Sequence, residues 1–239
     1  ISMHRSLRNR VLPFFNQNSR KLNSNKAFTL AEVLITLVII GIIAALTIPT
    51  LVNNYQKTQY VTQLKKAYSE VTQALKLMAN DYGCPGDLKC TGLFAPGTSS
   101  QSFGDAFVKY FKVVKNCKED TTQVCFSQDV NDYYDGSGLY VNDQNTNYRF
   151  ITEDGTAFSI YNYSDNCDSH CGFMNIDVNG LKKPNYRGRD IFFFYITNDK
   201  GPSITPYGDW EQDGSCNSSF TFGLSCGSRI LGEDWQMNY

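Results

Sequence analysis

"KAFTLAEVLITLVIIGIIAALTIPTL", residues 26–51, is an almost unbroken apolar run, and its reading decides the rest of the chain. From Phe28 to Leu51 it holds 24 residues with Glu32 as the only charge. At about 1.5 Å per residue, a helix of that length crosses the roughly 30 Å hydrocarbon core of a bilayer. The run is longer than the core of a removable secretory signal, and it leads through Pro49 into a further helical stretch with no small-x-small cleavage pattern. An acid inside a span costs about 2.5–3.5 kcal/mol at mid-bilayer and is functional by default. No Lys or Arg lies between residues 28 and 56, so the helix cannot supply Glu32 with a partner. A newly exposed α-amine at Phe28 could, on the same chain or a neighbour. A Glu that snorkels from one turn inside the interface would need none.

The flanks fix the orientation. Residues 1–27 carry Arg5, Arg8, Arg10, Arg20, Lys21 and Lys26 without an acid, and Lys and Arg beside a span stay on the cytoplasmic side. Of the 22 basic and 23 acidic residues, the remainder keeps 16 and 23, a balance of −7 that argues against nucleic acid as a partner. All eight cysteines follow the span, as in an exported, disulfide-using domain. Loop closure favours neighbours: Cys84 with Cys90, Cys117 with Cys125, Cys167 with Cys171, and Cys216 with Cys226. The rival is zinc, with Cys167 and Cys171 flanking His170 in "CDSHC", but no CxxC spacing occurs and export disfavours free thiolates.

The opening stretch resembles the N-terminal segment of type IV pilins and of type II secretion pseudopilins. Phe28 falls at the family's first mature position and Glu32 at its fifth, and Gly41 and Pro49 fall where the family places helix-loosening residues. The resemblance implies that prepilin peptidase cuts between Ala27 and Phe28, that the new amine is methylated, and that Glu32 pairs with such an amine during filament assembly. Ala27 departs from the family's usual Gly before the cut, which predicts slower cleavage. Pro49 lacks an amide donor and is expected to kink or locally melt the helix. The implied partners are the peptidase, other copies or related subunits, the inner-membrane assembly platform and the membrane itself. The implied location is the bacterial inner membrane, N-terminus cytoplasmic and head periplasmic, and then a filament.

Downstream, Val61, Leu64, Tyr68, Val71, Leu75 and Met78 recur at spacings of three and four, one apolar stripe on a soluble helix that Asp81, Gly83 and Pro85 end. Phe103, Phe107 and Phe111 predict a second helix from about Gly104 to Val114, and residues 115–147 read as loop. "YRFITEDGTAFSIYNY" predicts a hairpin at Asp154-Gly155, and Asn179-Gly180 precedes a strand at residues 191–197. The expected fold is α+β and pilin-like: a long N-terminal helix packed on an antiparallel sheet of three or four strands, with disulfide-stapled loops. The expected divisions are a leader (1–27), a transmembrane half-helix (28–51), an amphipathic half-helix (52–82) and an exported head (83–239). "DVNGLKKPNYRGRDIFFF" and "EDWQMNY" also resemble segments of pseudopilin-like chains.

Candidate chemistry is sparse. Asp177, Asn179 and Asp190 could offer oxygens to structural calcium, which major pseudopilins hold, although the spacing is not that of an EF-hand and Asn179-Gly180 is sufficient as a turn. Asp209, Glu211 and Asp213 form a looser acidic group. No GxSxG, HExxH or P-loop pattern occurs and His170 is the only histidine past the leader, so the chain reads as a structural subunit rather than an enzyme. "NYS" at Asn162 and "NSS" at Asn217 fit the glycosylation triplet. The rival function is a monomeric, membrane-tethered extracytoplasmic binding domain. An anchored hydrolase would need a catalytic set that the sequence does not mark.

Overall fold

The computed structural model describes residues 28–127, 130–132, 146–165, 167–213, 216 and 223–239. The chain divides between Ile48 and Pro49 into two units. Helix α1, Leu30–Asp81, runs through both and is unbroken at Pro49, so the expected local melting does not occur. Up to Ile48 its large apolar side chains are exposed. Thr36 and Thr47 return their hydroxyls to the carbonyls of Val33 and Ile43, both at 2.9 Å, so this stretch needs no outside hydrogen-bond partner for them.

From Tyr60 onward α1 has one buried face. Val61, Leu64, Val71, Leu75 and Met78 are buried there with Ala67, Ala74 and Ala79 between them, and Tyr68 is half-buried. The helix ends where Gly83, at φ 72°, supplies the left-handed turn, and the Cys84 amide caps the Ala79 carbonyl at 2.8 Å.

That face packs on one antiparallel-rich sheet. Its strands among the described residues are β1 (Val113–Lys118), β2 (Asn131–Asp132), β3 (Tyr148–Thr152), β4 (Ala157–Asn162), β5 (His170–Asp177), β6 (Tyr186–Arg187), β7 (Ile191–Thr197) and β8 (Ser203–Pro206). The order is β1-β3-β4-β5-β7-β6-β2, with β8 also on β7. Alternate residues face α1: Phe150, Phe158 and Ile160, then Met174 and Ile176, then Phe192, Phe194 and Ile196. The opposite side carries a smaller cluster of Phe126, Val130, Ala157 and Ile191.

The hairpin at Asp154-Gly155 forms as expected, with Ile151 opposite Ala157. Asp154 accepts from the Thr152 hydroxyl at 2.6 Å and the Thr156 amide at 3.2 Å, and it pairs with Lys66 of α1 at 2.6 Å. Partial burial pushes its carboxyl up, but Lys66 and these donors prevail and hold it at about 2.

Three expectations need correction. The sheet has more strands than three or four, because β1 and β8 flank it and β2 and β6 extend it. The second helix, α2, starts earlier and is shorter, at Ser100–Phe107: Ser99 caps it by accepting the Ser102 amide at 3.2 Å, and Val113-Val114 already belong to β1. Asn179-Gly180 opens a connection that runs to Asp190, where the Val178 amide meets the Asp190 carbonyl at 2.9 Å, rather than a two-residue turn. Past β8, among the described residues, come two short helices, α3 (Trp210–Asp213) and α4 (Cys226–Gly232).

Residues 229–239 fold back along α1. Arg229 lies between the rings of Trp210 and Tyr239, 5.1 and 5.0 Å from their centroids, and pairs with Glu233 at 2.9 Å. Lys57 donates to the Tyr239 main-chain oxygen, the Tyr239 hydroxyl donates to the Gly188 carbonyl at 2.7 Å, and Lys65 sits 5.5 Å over Trp235. Arg189 reaches Asn53 and Gln56 at 3.3 and 3.2 Å.

Disulfides join Cys84 to Cys90, Cys117 to Cys125, Cys167 to Cys171 and Cys216 to Cys226, at sequence separations of 6, 8, 4 and 10. Short loops of this kind each stabilise by about 2–3 kcal/mol in the chain-entropy account. Replacing Cys216 and Cys226 together by serine should therefore cost about that much, read as a lower melting temperature under oxidising conditions. Identical melts before and after full reduction of the unsubstituted chain would show that the staples are idle.

Candidate functional site

Asp177, Asn179 and Asp190 converge, and two residues that the sequence did not single out join them. Asp190 is fully buried at the entry to β7. Its Oδ1 accepts the Tyr186 amide at 2.6 Å, and its Oδ2 accepts the Asn185 amide at 2.8 Å and Asn179 Nδ2 at 3.0 Å. Asp177, also fully buried, ends β5, and its Oδ2 faces the Ser127 hydroxyl at 3.1 Å. That hydroxyl also faces Asn185 Oδ1 at 3.0 Å, and one proton serves only one of them. Asp177 Oδ1 and Asn179 Oδ1 are buried without a donor.

Donors saturate Asp190 but leave one oxygen each of Asp177 and Asn179 over. No lysine or arginine is ion-paired with either carboxylate among the described residues. Burial pushes Asp177 well above the ordinary carboxylate range, with the Asp190 charge adding to it, and burial also raises Asp190 against the pull of the Tyr186 and Asn185 amides. The two orphaned oxygens, Asp177 Oδ1 and Asn179 Oδ1, are of the kind a hard cation such as calcium takes, while both Asp190 oxygens are already engaged by donors. Asp177, Asn179 and Asp190 would hold it, with Ser127 and Asn185 beside them.

The other candidates resolve into structure. Cys167 and Cys171 are bonded to each other and cannot serve zinc, and His170 packs its ring 4.5 Å from Tyr195. Asp209 caps α3 by accepting the Glu211 amide at 3.1 Å, and the Asp213 side chain lies outside the described residues. Asn162 is buried, donating to the Leu93 carbonyl at 3.0 Å and Thr98 Oγ1 at 3.1 Å, so it is a tie between β4 and the segment before α2 rather than a glycan acceptor. Asn217 lies outside the described residues. An open groove of about 580 Å³ between α1 and the β3–β4 turn is lined by Lys66, Glu70, Tyr110 and Asp154 among others, and its charges pair locally.

At the start of α1, Ala27 lies outside the described residues, and Phe28 is exposed one residue before the cap. Thr29 Oγ1 accepts the Glu32 amide at 3.2 Å, while the Glu32 carboxylate accepts the Thr29 amide at 2.8 Å and the Thr29 hydroxyl at 3.0 Å. This is a reciprocal capping box, a local role for Glu32 that the T-x-x-E spacing could have revealed. Gly41 has open space around it. The family model for the prokaryotic N-terminal methylation motif matches residues 22–48. The chain carries the type IV pilin and pseudopilin signature. No curated protein and no solved structure matches the chain. The pilin-type motif accounts for the exposed apolar surface of residues 28–48, which suits a membrane anchor. The motif also implies processing by prepilin peptidase.

Proposed function

We propose that the chain is a structural prepilin-like subunit: inserted by α1, cut between Ala27 and Phe28 by prepilin peptidase, methylated at Phe28, and assembled into a type II secretion pseudopilus or a type IV pilus-like filament. The observation that carries this reading is the methylation motif at residues 22–48 laid on a capped helix whose large apolar side chains up to Ile48 are exposed. Four disulfides support a head held outside the cytoplasm, with the basic leader inside. The subunit works by assembly, its partners being other copies or related subunits and the inner-membrane platform.

The test is the intact mass and N-terminal sequence of the protein recovered from membranes with and without prepilin peptidase. A chain that begins at methylated Phe28 only when the peptidase is present is expected. A chain that keeps its basic leader in the peptidase's presence overturns the reading in favour of a tethered domain.

Structural calcium at Asp177, Asn179 and Asp190 belongs to the same proposal. A carboxyl raised in the folded state binds its proton more tightly there than when unfolded. Its stabilising contribution is therefore full below the unfolded value and is lost as pH rises through the folded one. A bound cation would offset that loss only where the pair is ionised. Calcium at about a hundred times its dissociation constant adds about 2.7 kcal/mol, or roughly 5–10 °C for a head of this size. That gain should appear at pH 7.5 and shrink at pH 4, and Asp177→Asn should remove it. Thermal melts in chelator and in calcium measure it, and coincident curves at pH 7.5 would dismiss the ion.

A further inference from the structure

The outward face of the sheet is aromatic where a two-sided sheet would ordinarily be polar. Tyr161 and Tyr163 on and just after β4, Phe173 on β5, Phe193 and Tyr195 on β7, and Tyr207 after β8 are all half-exposed. Tyr161 stacks on Phe173 and Phe173 on Phe193, with centroids 5.2 and 5.1 Å apart. Tyr195 and Tyr207 meet Phe193 edge to face, each at 5.5 Å. A part-exposed aromatic surface of this kind has the composition of a protein contact.

Exposed charge divides across the sheet. Beside the aromatic face lie Asp165, next to Tyr163, Asp199 in the turn between β7 and β8, and Asp209 and Glu211 beyond β8, with Lys200 among them. None of these acids has a cationic partner among the described residues. The opposite edge is β1 with the turn before it, which carries Lys109, Lys112, Lys115 and Lys118, with Glu119 and Asp120 following directly and Lys115 donating to the Val124 carbonyl at 3.0 Å. Lys118 is paired with Asp105 at 3.1 Å and Lys112 loosely with Glu153 at 3.7 Å, while Lys109 has no carboxylate partner among the described residues. Val114 projects between these lysines, 65% exposed.

We propose that the acidic, aromatic face of β4, β5, β7 and β8 receives the basic β1 edge of a second copy of this chain. The surfaces are complementary in charge. The contact is made by side chains. Register breaks in β1, and Pro206 in β8 with Pro202 just before it, prevent either edge from extending a backbone ladder. Because the two patches are different surfaces of one chain, the contact is heterologous, and in a filament it repeats without closing into a ring. This inference rests on the filament reading.

The test places photoreactive benzoylphenylalanine at Val114 in the full chain, in cells that supply prepilin peptidase and an assembly platform. Sedimentable assemblies are measured in parallel. The expected product is a crosslink from position 114 to residues 193–211 of a second copy. Its yield should fall at least tenfold in Lys112→Glu/Lys115→Glu and recover when Asp209→Lys/Glu211→Lys is added. Assemblies without this crosslink, or a crosslink that nuclease removes, overturn the contact and leave the filament reading standing. Absence of any assembly overturns both.

Discussion

Glu32→Gln is expected to insert and to start its helix normally, yet to stop filament assembly. Glutamine fills the third position of a capping box as glutamate does, so the reciprocal bonds with Thr29 survive. Losing the charge also removes part of the cost of placing this turn in the membrane. What would disappear, on the proposed filament reading, is the ability to pair with the amine of an incoming subunit. Removing one partner of a buried ion pair costs about 3–5 kcal/mol, a loss of at least a hundredfold in how well a subunit is held. Glu32→Ala loses the cap as well, so the comparison separates the two roles. Cleavage at Ala27, read by intact mass, should be the same in both variants, while sedimentable filaments should be absent. If the glutamine variant assembles like the unsubstituted chain, the acid serves only the helix start and its role in assembly is refuted.

Gly104→Ala is expected to destabilise the head severely, against the usual rule. In a helix interior, alanine is about 1 kcal/mol better than glycine. Here the added Cβ would lie 2.1–2.5 Å from three carbons of the Tyr148 ring. That ring cannot step aside. Tyr148 is fully buried, its hydroxyl donates to Asp105 at 2.9 Å and accepts from Asn116 at 2.8 Å, and the weight of its burial pushes the phenol up to about 12. Helix α2 must then lift from β3 and disturb the aromatic row of Phe94, Phe103, Phe107 and Phe111. Overpacking of this kind costs about 3 kcal/mol, or roughly 5–10 °C in the melting temperature of the head. An unchanged melt would show that α2 does not seat on the sheet as described.

Much of this architecture could be read from the chain because its strongest signals are periodic. The stripe from Val61 to Met78 repeats at helical spacing on one face only, and Asp154-Gly155 stands between two alternating runs. Strand β1 escaped detection because two register breaks interrupt its alternation and its lysines face solvent at an edge. Strands β2 and β6, two residues each, are too short to show a period. In "IFFFYIT" both faces are apolar, so the sequence marks a strand without saying that Phe193 and Tyr195 point away from the core. The buried carboxylate cluster was half legible. Asp177, Asn179 and Asp190 lie close in the chain, whereas Ser127 reaches Asp177 from 50 residues away by a fold that no spacing announces.

The fold-back of residues 229–239 carries a mechanical consequence. Lys57, Lys65 and the Arg189 contacts to Asn53 and Gln56 fasten the lower part of the soluble helix, while Lys66 with Asp154 and Asp81 with Tyr110 fasten it further up. A pull directed along α1 meets these fasteners sideways and together, as a lap joint meets shear, instead of opening them one after another like a zip. A subunit drawn by its helix would therefore carry its head as cargo rivetted along the shaft, and the joint would fail as a whole or not at all.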